Sequence, residues 1–90
     1  MKALVCEKKS FESNNGDVYY TLVLSTYNEH FKDIRIYQVK DKKTGVYVPR
    51  NWFIDKSLYD EIEAGNWYDL IFGIDNENGR SKLVSAKLLK

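Results

Sequence analysis

Val18 to Val39 reads VYYTLVLSTY-NEH-FKDIRIYQV, two runs dense in β-branched and aromatic residues separated by three polar ones. Such residues fit a pleated, half-buried surface. Both runs alternate, which marks strands and not helices. The short NEH connection makes the second run antiparallel to the first. In the first run one phase is Val18, Tyr20, Leu22 and Leu24, and the other is Tyr19, Thr21, Val23, Ser25 and Tyr27. The first phase is the more apolar and is expected to line a core. In the second run Ile34 and Ile36 are expected inward, which turns Phe31, Asp33, Arg35 and Tyr37 outward.

Upstream, KALVCEKKSF (2–11) alternates loosely and reads as an earlier strand, joined to the hairpin by ESNNGD, whose Asn and Gly tolerate positive φ. Downstream lies QVKDKKTGVYVPRNWF (38–53), a basic turn followed by a short extended arm. Pro49 has no N–H to donate, which confines Val46–Phe53 to an edge ribbon that projects from the body. DKSLYDEIEAG then changes period: Leu58 and Ile62 are spaced i, i+4, Ser57 and Asp60 resemble a capping box, and Gly65 supplies a stop, so one short helix is expected. NWYDLIFGI returns to alternation, DNENG is a turn, and RSKLVSAKLL is a last strand. The order is a three-stranded meander, a basic ribbon, a helix and a hairpin. It points to one mainly β domain over residues 1–90, a five-stranded OB-fold-like barrel with a short helix between its third and fourth main strands. An SH3-like or other small β-barrel is the rival layout.

Ninety residues that are 43% hydrophobic and 30% charged suit one folded unit. A single cysteine, Cys6, forbids an internal disulfide, and with His30 as the one histidine no Cys/His metal site can be assembled. This favours a reducing, cytoplasmic location. No apolar run approaches the ~20 residues that span a bilayer, so no membrane association is expected. Cys6 and His30 fall in different predicted elements, no Gly-rich phosphate loop is present, and Asp60, Glu61 and Glu63 read as a solvated helix face. Neither an enzyme nor a cofactor is expected, and Cys6 reads as a buried thiol.

The net charge of +1 hides a segregated distribution: residues 1–29 carry −1, 30–50 carry +4, 51–78 carry −6 and 79–90 carry +4. A fold that brings the two basic segments together makes a one-sided positive field. Lys40, Lys42, Lys43 and Arg50, interleaved with Tyr47 and Trp52, lie in the first; Arg80 and Lys82 lie in the second. Tyr19, Tyr27, Phe31, Arg35 and Tyr37 are expected on the exterior of the hairpin. Each nucleic-acid base offers a π face, and stacking on an aromatic ring contributes about 1–3 kcal/mol without demanding a sequence. Cations interleaved with rings suit a phosphate chain and its bases.

On VYYTLVLSTY, DIRIYQV and GRSKLVSAKLL, the chain resembles the small OB-fold single-stranded DNA-binding proteins of phages and mobile elements, and in layout the helix-destabilising proteins of filamentous phages. The resemblance implies non-sequence-specific binding of single-stranded DNA, or of RNA, in DNA replication. It also implies a homodimer with a projecting β-ribbon. The competing expectation is a protein-interaction module of small β-barrel type with no nucleic-acid role.

Overall fold

The first hairpin is the longest ladder in the computed structural model, which describes residues 1–74, 79 and 81–89. β1 (Lys2–Glu12) and β2 (Val18–Asn28) pair antiparallel from Glu12↔Val18 to Leu4↔Ser25, with a bulge between Val5 and Glu7. The expected turn joins them: Ser13 N–H donates to the Asp17 carbonyl at 2.7 Å, and Gly16 takes φ +86°.

The third strand is interrupted. β3 (Asp33–Ile36) pairs with the last four residues of β2, and β6 (Trp52–Ile54) pairs with its first half, from Tyr20↔Ile54 to Leu22↔Trp52. Between them Tyr37 N–H donates to Leu24 O at 2.9 Å, which carries the pairing across the gap. The chain that leaves after Tyr37 forms a separate two-stranded ribbon, β4 (Gln38–Lys40) with β5 (Tyr47–Pro49). Arg50 N–H closes its base on the Tyr37 carbonyl at 2.9 Å. The expected continuous strand Phe31–Val39 is thus two pieces, and Pro49 stands on a ribbon edge where its missing N–H costs no sheet bond. The radius of gyration, 13.9 Å, exceeds the about 12 Å of a compact chain of this length, as a projecting ribbon requires.

After α1 (Lys56–Glu61), β7 (Trp67–Ile74) and β8 (Ser81–Leu88) form the last hairpin. The N-terminal end of β1 passes beyond β2 to pair with β7, Lys2↔Asp69 to Leu4↔Trp67. The strand order is β3-β2-β1-β7-β8, with β6 also on β2. This corrects the expected barrel: among the described residues no ladder joins β6 to β8, so the sheet stays open along that seam. Three residues of β6, committed to β2 on one side, offer too short an edge to zip the far side. The seam is crossed by side chains, Lys82 to Asp55 at 3.1 Å and Trp52 against Phe72 with ring centroids 5.0 Å apart.

The core joins Ala3 and Val5 of β1, Leu22 and Leu24 of β2, Ile54, Ile62, Tyr68, Leu70 and Leu83. Burying a leucine or isoleucine fully contributes roughly 1.5–3 kcal/mol, so the inward phase of β2 holds the sheet to the helix and the last hairpin. Val18 departs from that phase: it is half exposed, at the turn end of β2 beyond the core. Helix α1 brings Leu58 and Ile62 to this core but starts from Asp55 as N-cap with no side-chain cap bond, so Ser57 lies inside the helix and caps nothing. Gly65 follows at φ +90°, where a Cβ is disfavoured, and its N–H donates to the Val5 carbonyl at 2.7 Å.

Candidate functional site

The odd-numbered residues of β2 face away from the core. Thr21, Val23 and Ser25 in the middle are nonetheless buried, because β2 has strands on both sides whose larger side chains shield them. At the turn end of this face three rings gather. Phe11 stands opposite Tyr19 in the β1–β2 ladder, and Phe53 opposite Thr21 in the β2–β6 ladder. The Phe11 and Tyr19 rings stack at 5.5 Å, and Phe53 meets each edge-on at 6.1 Å. All three remain about half exposed, at 46%, 41% and 50%. Alternation along β2 points to Tyr19, whereas Phe11 joins this face only through the β1–β2 register. The turn chemistry of ESNNGD carried the missing signal, since a tight connection there fixes Phe11 across from Tyr19.

At the other end of the same face lie Tyr27 and its partner Ile34, with Ile36 opposite Ser25. Ile34 and Ile36 were expected inward and are exposed at 48% and 45%. Directly paired residues share a face, so opposite Tyr27 and Ser25 these two isoleucines stand on the outer face, away from the core. The same register separates Tyr27 from Arg35: Arg35 pairs with Thr26 and points to the opposite face, where its guanidinium lies 4.1 Å from the Phe31 ring centroid. The expected single surface of Tyr27, Phe31, Arg35 and Tyr37 is therefore split between two faces.

Tyr37 is also corrected. It is half-buried against the core, its ring edge-on to Trp52 at 5.6 Å and its hydroxyl 3.5 Å from Met1 Sδ. Trp52 pairs with Leu22, so it faces inward and packs on Phe72, while Arg50 covers it with its guanidinium 3.8 Å from the ring centroid. A shallow groove of about 300 Å³ runs between Arg50, Trp52, Phe53 and Phe72. Phe53, one residue on, takes the outer face, so the two rings of the arm serve opposite sides of the sheet.

The ribbon presents Lys40 and Tyr47 as a cross-strand pair on one face, and Val39 and Val48 on the other, all exposed. Lys42 and Lys43 occupy its turn, where the Asp41 carboxylate accepts from Lys43 N–H at 2.8 Å. Lys82 is engaged with Asp55, and Arg80 lies outside the described residues.

Cys6 is exposed, not buried. It follows the inward Val5 in the strand alternation and so stands on the outer face, where its Sγ is 2.8 Å from Ser25 Oγ. His30 is exposed with its ring edge-on to Phe31. Among the described residues no group of three His, Cys, Asp or Glu is arranged to hold a metal, and no helix is long and apolar enough to cross a membrane. Away from these rings, the pKa of Lys56 is raised by its hydrogen bond to Asp60 and by that carboxylate's charge. No family model, curated protein or solved structure matches the chain.

Proposed function

We propose that the protein binds single-stranded DNA, or single-stranded RNA, with little dependence on sequence. The observation that carries this reading is the half-exposed Phe11–Tyr19–Phe53 cluster on the outer face of the sheet. Large rings are costly to leave in water, and three gathered in one place offer stacking surface to successive bases. The ribbon with Lys40, Lys42 and Lys43 supports the phosphate half of the interaction, as does Arg50 at its base. The strand order and the helix between β6 and β7 support an OB-type architecture left open at one seam. An exposed Cys6 thiol supports a reducing, cytoplasmic location, and the exposed edges of β3 and of the ribbon support a homodimer in which these edges meet. The test is fluorescence anisotropy of a labelled oligonucleotide at several salt concentrations. Affinity that falls with salt and exceeds that for duplex is expected; no binding at low salt sinks the reading.

A second reading, a protein-interaction module, is favoured by the exposed Val39, Val46 and Val48 of the ribbon, which suit a partner's apolar surface better than a phosphate chain. Its signature is the absence of oligonucleotide binding at low salt together with capture of a protein partner that survives Lys42→Ala with Lys43→Ala.

A further inference from the structure

The outer face carries a second concave site. Leu4 pairs with both Ser25 and Trp67, so Trp67 lies on the same face as Ser25 and hence as Tyr27. Tyr27 and Trp67 wall a cleft of about 470 Å³ that Lys2 and Glu29 also line. That volume is within the ~300–1,000 Å³ of small-ligand sites. Tyr27 is half exposed, and Trp67 is partly buried.

We propose that this cleft holds one nucleobase of the bound strand, flanked by Tyr27 and Trp67, with Lys2 on the adjoining phosphate. The assignment rests on the single-strand reading above and adds a base preference to it. Two aromatic walls match a base, which has two π faces. Glu29 decides which part of the nucleotide enters: a carboxylate repels phosphate and accepts hydrogen bonds only, so the group turned toward it must donate. Cytosine, adenine and guanine offer exocyclic amines, whereas thymine has only a ring N3–H set between two carbonyl oxygens that a carboxylate repels. The cleft therefore favours an amine-bearing base, cytosine among them, over thymine. Tyr19 and Tyr27 are eight residues apart on β2, so at a rise of ~3.3 Å per residue the ring cluster and the cleft lie ~26 Å apart on one face. A strand that reaches both runs along β2.

The experiment uses the full chain. Its two tryptophans give two indole N–H signals in a nitrogen-15 correlation spectrum, assigned by loss of one in Trp52→Phe. Cytidine monophosphate is expected to move the Trp67 signal and leave Trp52 in place, with thymidine monophosphate about fivefold weaker. In anisotropy titrations Tyr27→Ala is expected to lower oligocytidine affinity by about fivefold to a hundredfold. Glu29→Gln, whose amide can also donate, is expected to level cytosine and thymine tracts. Tyr27 is exposed enough for the variant to fold, which its unfolding curve checks. If oligonucleotides bind and Phe53→Ala weakens them while Tyr27→Ala and Glu29→Gln change nothing, the cleft is overturned and the single-strand reading stands. If oligonucleotides fail to bind but cytidine monophosphate still moves Trp67, the single-strand reading falls and the cleft remains a nucleotide site. Silence in both measurements overturns both.

Discussion

Phe53 and Tyr19 meet edge-on, ring centroids 6.1 Å apart and planes 82° to one another, although their residues belong to strands separated in sequence by the whole basic ribbon. The contact exists because β6 returns to β2 in a register that places Phe53 opposite Thr21, two residues from Tyr19 on the same face. Whatever the ribbon does is thereby tied to the ring cluster through three residues of chain, Arg50, Asn51 and Trp52.

Phe53→Ala or Tyr19→Ala is expected to weaken single-strand binding by about 1–3 kcal/mol, with the dependence on salt unchanged, because stacking releases no counterions. Both side chains are half exposed, so the unfolding free energy should fall by only about 1 kcal/mol, the scale of one aromatic pair. Parallel anisotropy and denaturant titrations check this.

Lys42→Ala with Lys43→Ala addresses the phosphate half. Two lost phosphate contacts should make the slope of log affinity against log salt shallower by up to about 1.4, with all single strands weakened alike. An unchanged slope would show that the ribbon turn lies clear of the phosphates.

Tyr37→Ala is expected to act on folding, since its ring lies against Trp52 and the core. A loss of about 2–3 kcal/mol, below that of a fully buried ring, should appear as a lower urea midpoint at constant m-value. Binding per folded molecule should change far less than with Phe53→Ala.

The Lys56–Asp60 pair makes a prediction about pH. The lysine's pKa is raised in the folded chain, so the pair's contribution is fully present below the unfolded value of 10.5 and is lost as pH rises through the folded value. Wild type and Lys56→Gln should therefore differ in stability by a constant amount between pH 6 and 9, and converge only above that unfolded value. Thermal unfolding of the two across pH checks it.

The strands, the helix and the projecting basic arm were legible because each depends on local pattern: Val18–Tyr27 is β-rich, the run from Lys56 to Glu61 breaks the alternation, and Pro49 marks an edge, although Ile62 proves to be the extended residue that ends the helix. What sequence could not carry was which phase of β3 shares a face with which phase of β2. Ile34 and Ile36 look like core residues, and only the register that pairs them with Tyr27 and Ser25 shows that they stand on the outer face. Tyr37 and Arg35 were assigned to a face by counting from those isoleucines, and the error passed to them. Phe11 joined Tyr19 through a turn, and Trp67 joined Tyr27 through β1, both non-local relations. Cys6 alternates with the inward Val5 and so emerges in solvent, while the bulge beside it resets the phase of the strand from Glu7 onward.

The double pairing of β1 bears on how quickly the chain reaches its native state. Residues 7–12 of β1 find β2 across a turn of a few residues, but Lys2–Leu4 must wait for Trp67–Asp69, more than sixty positions away in the sequence. Closing that distance costs chain entropy before the contact returns any stability, which slows folding relative to domains built from neighbouring segments. During synthesis the β1–β2 hairpin emerges early, while the edge of β1 that β7 will cover stays open until most of the polypeptide has left the ribosome. That interval, and not the finished sheet, is when this sequence is most open to pairing with the wrong strand.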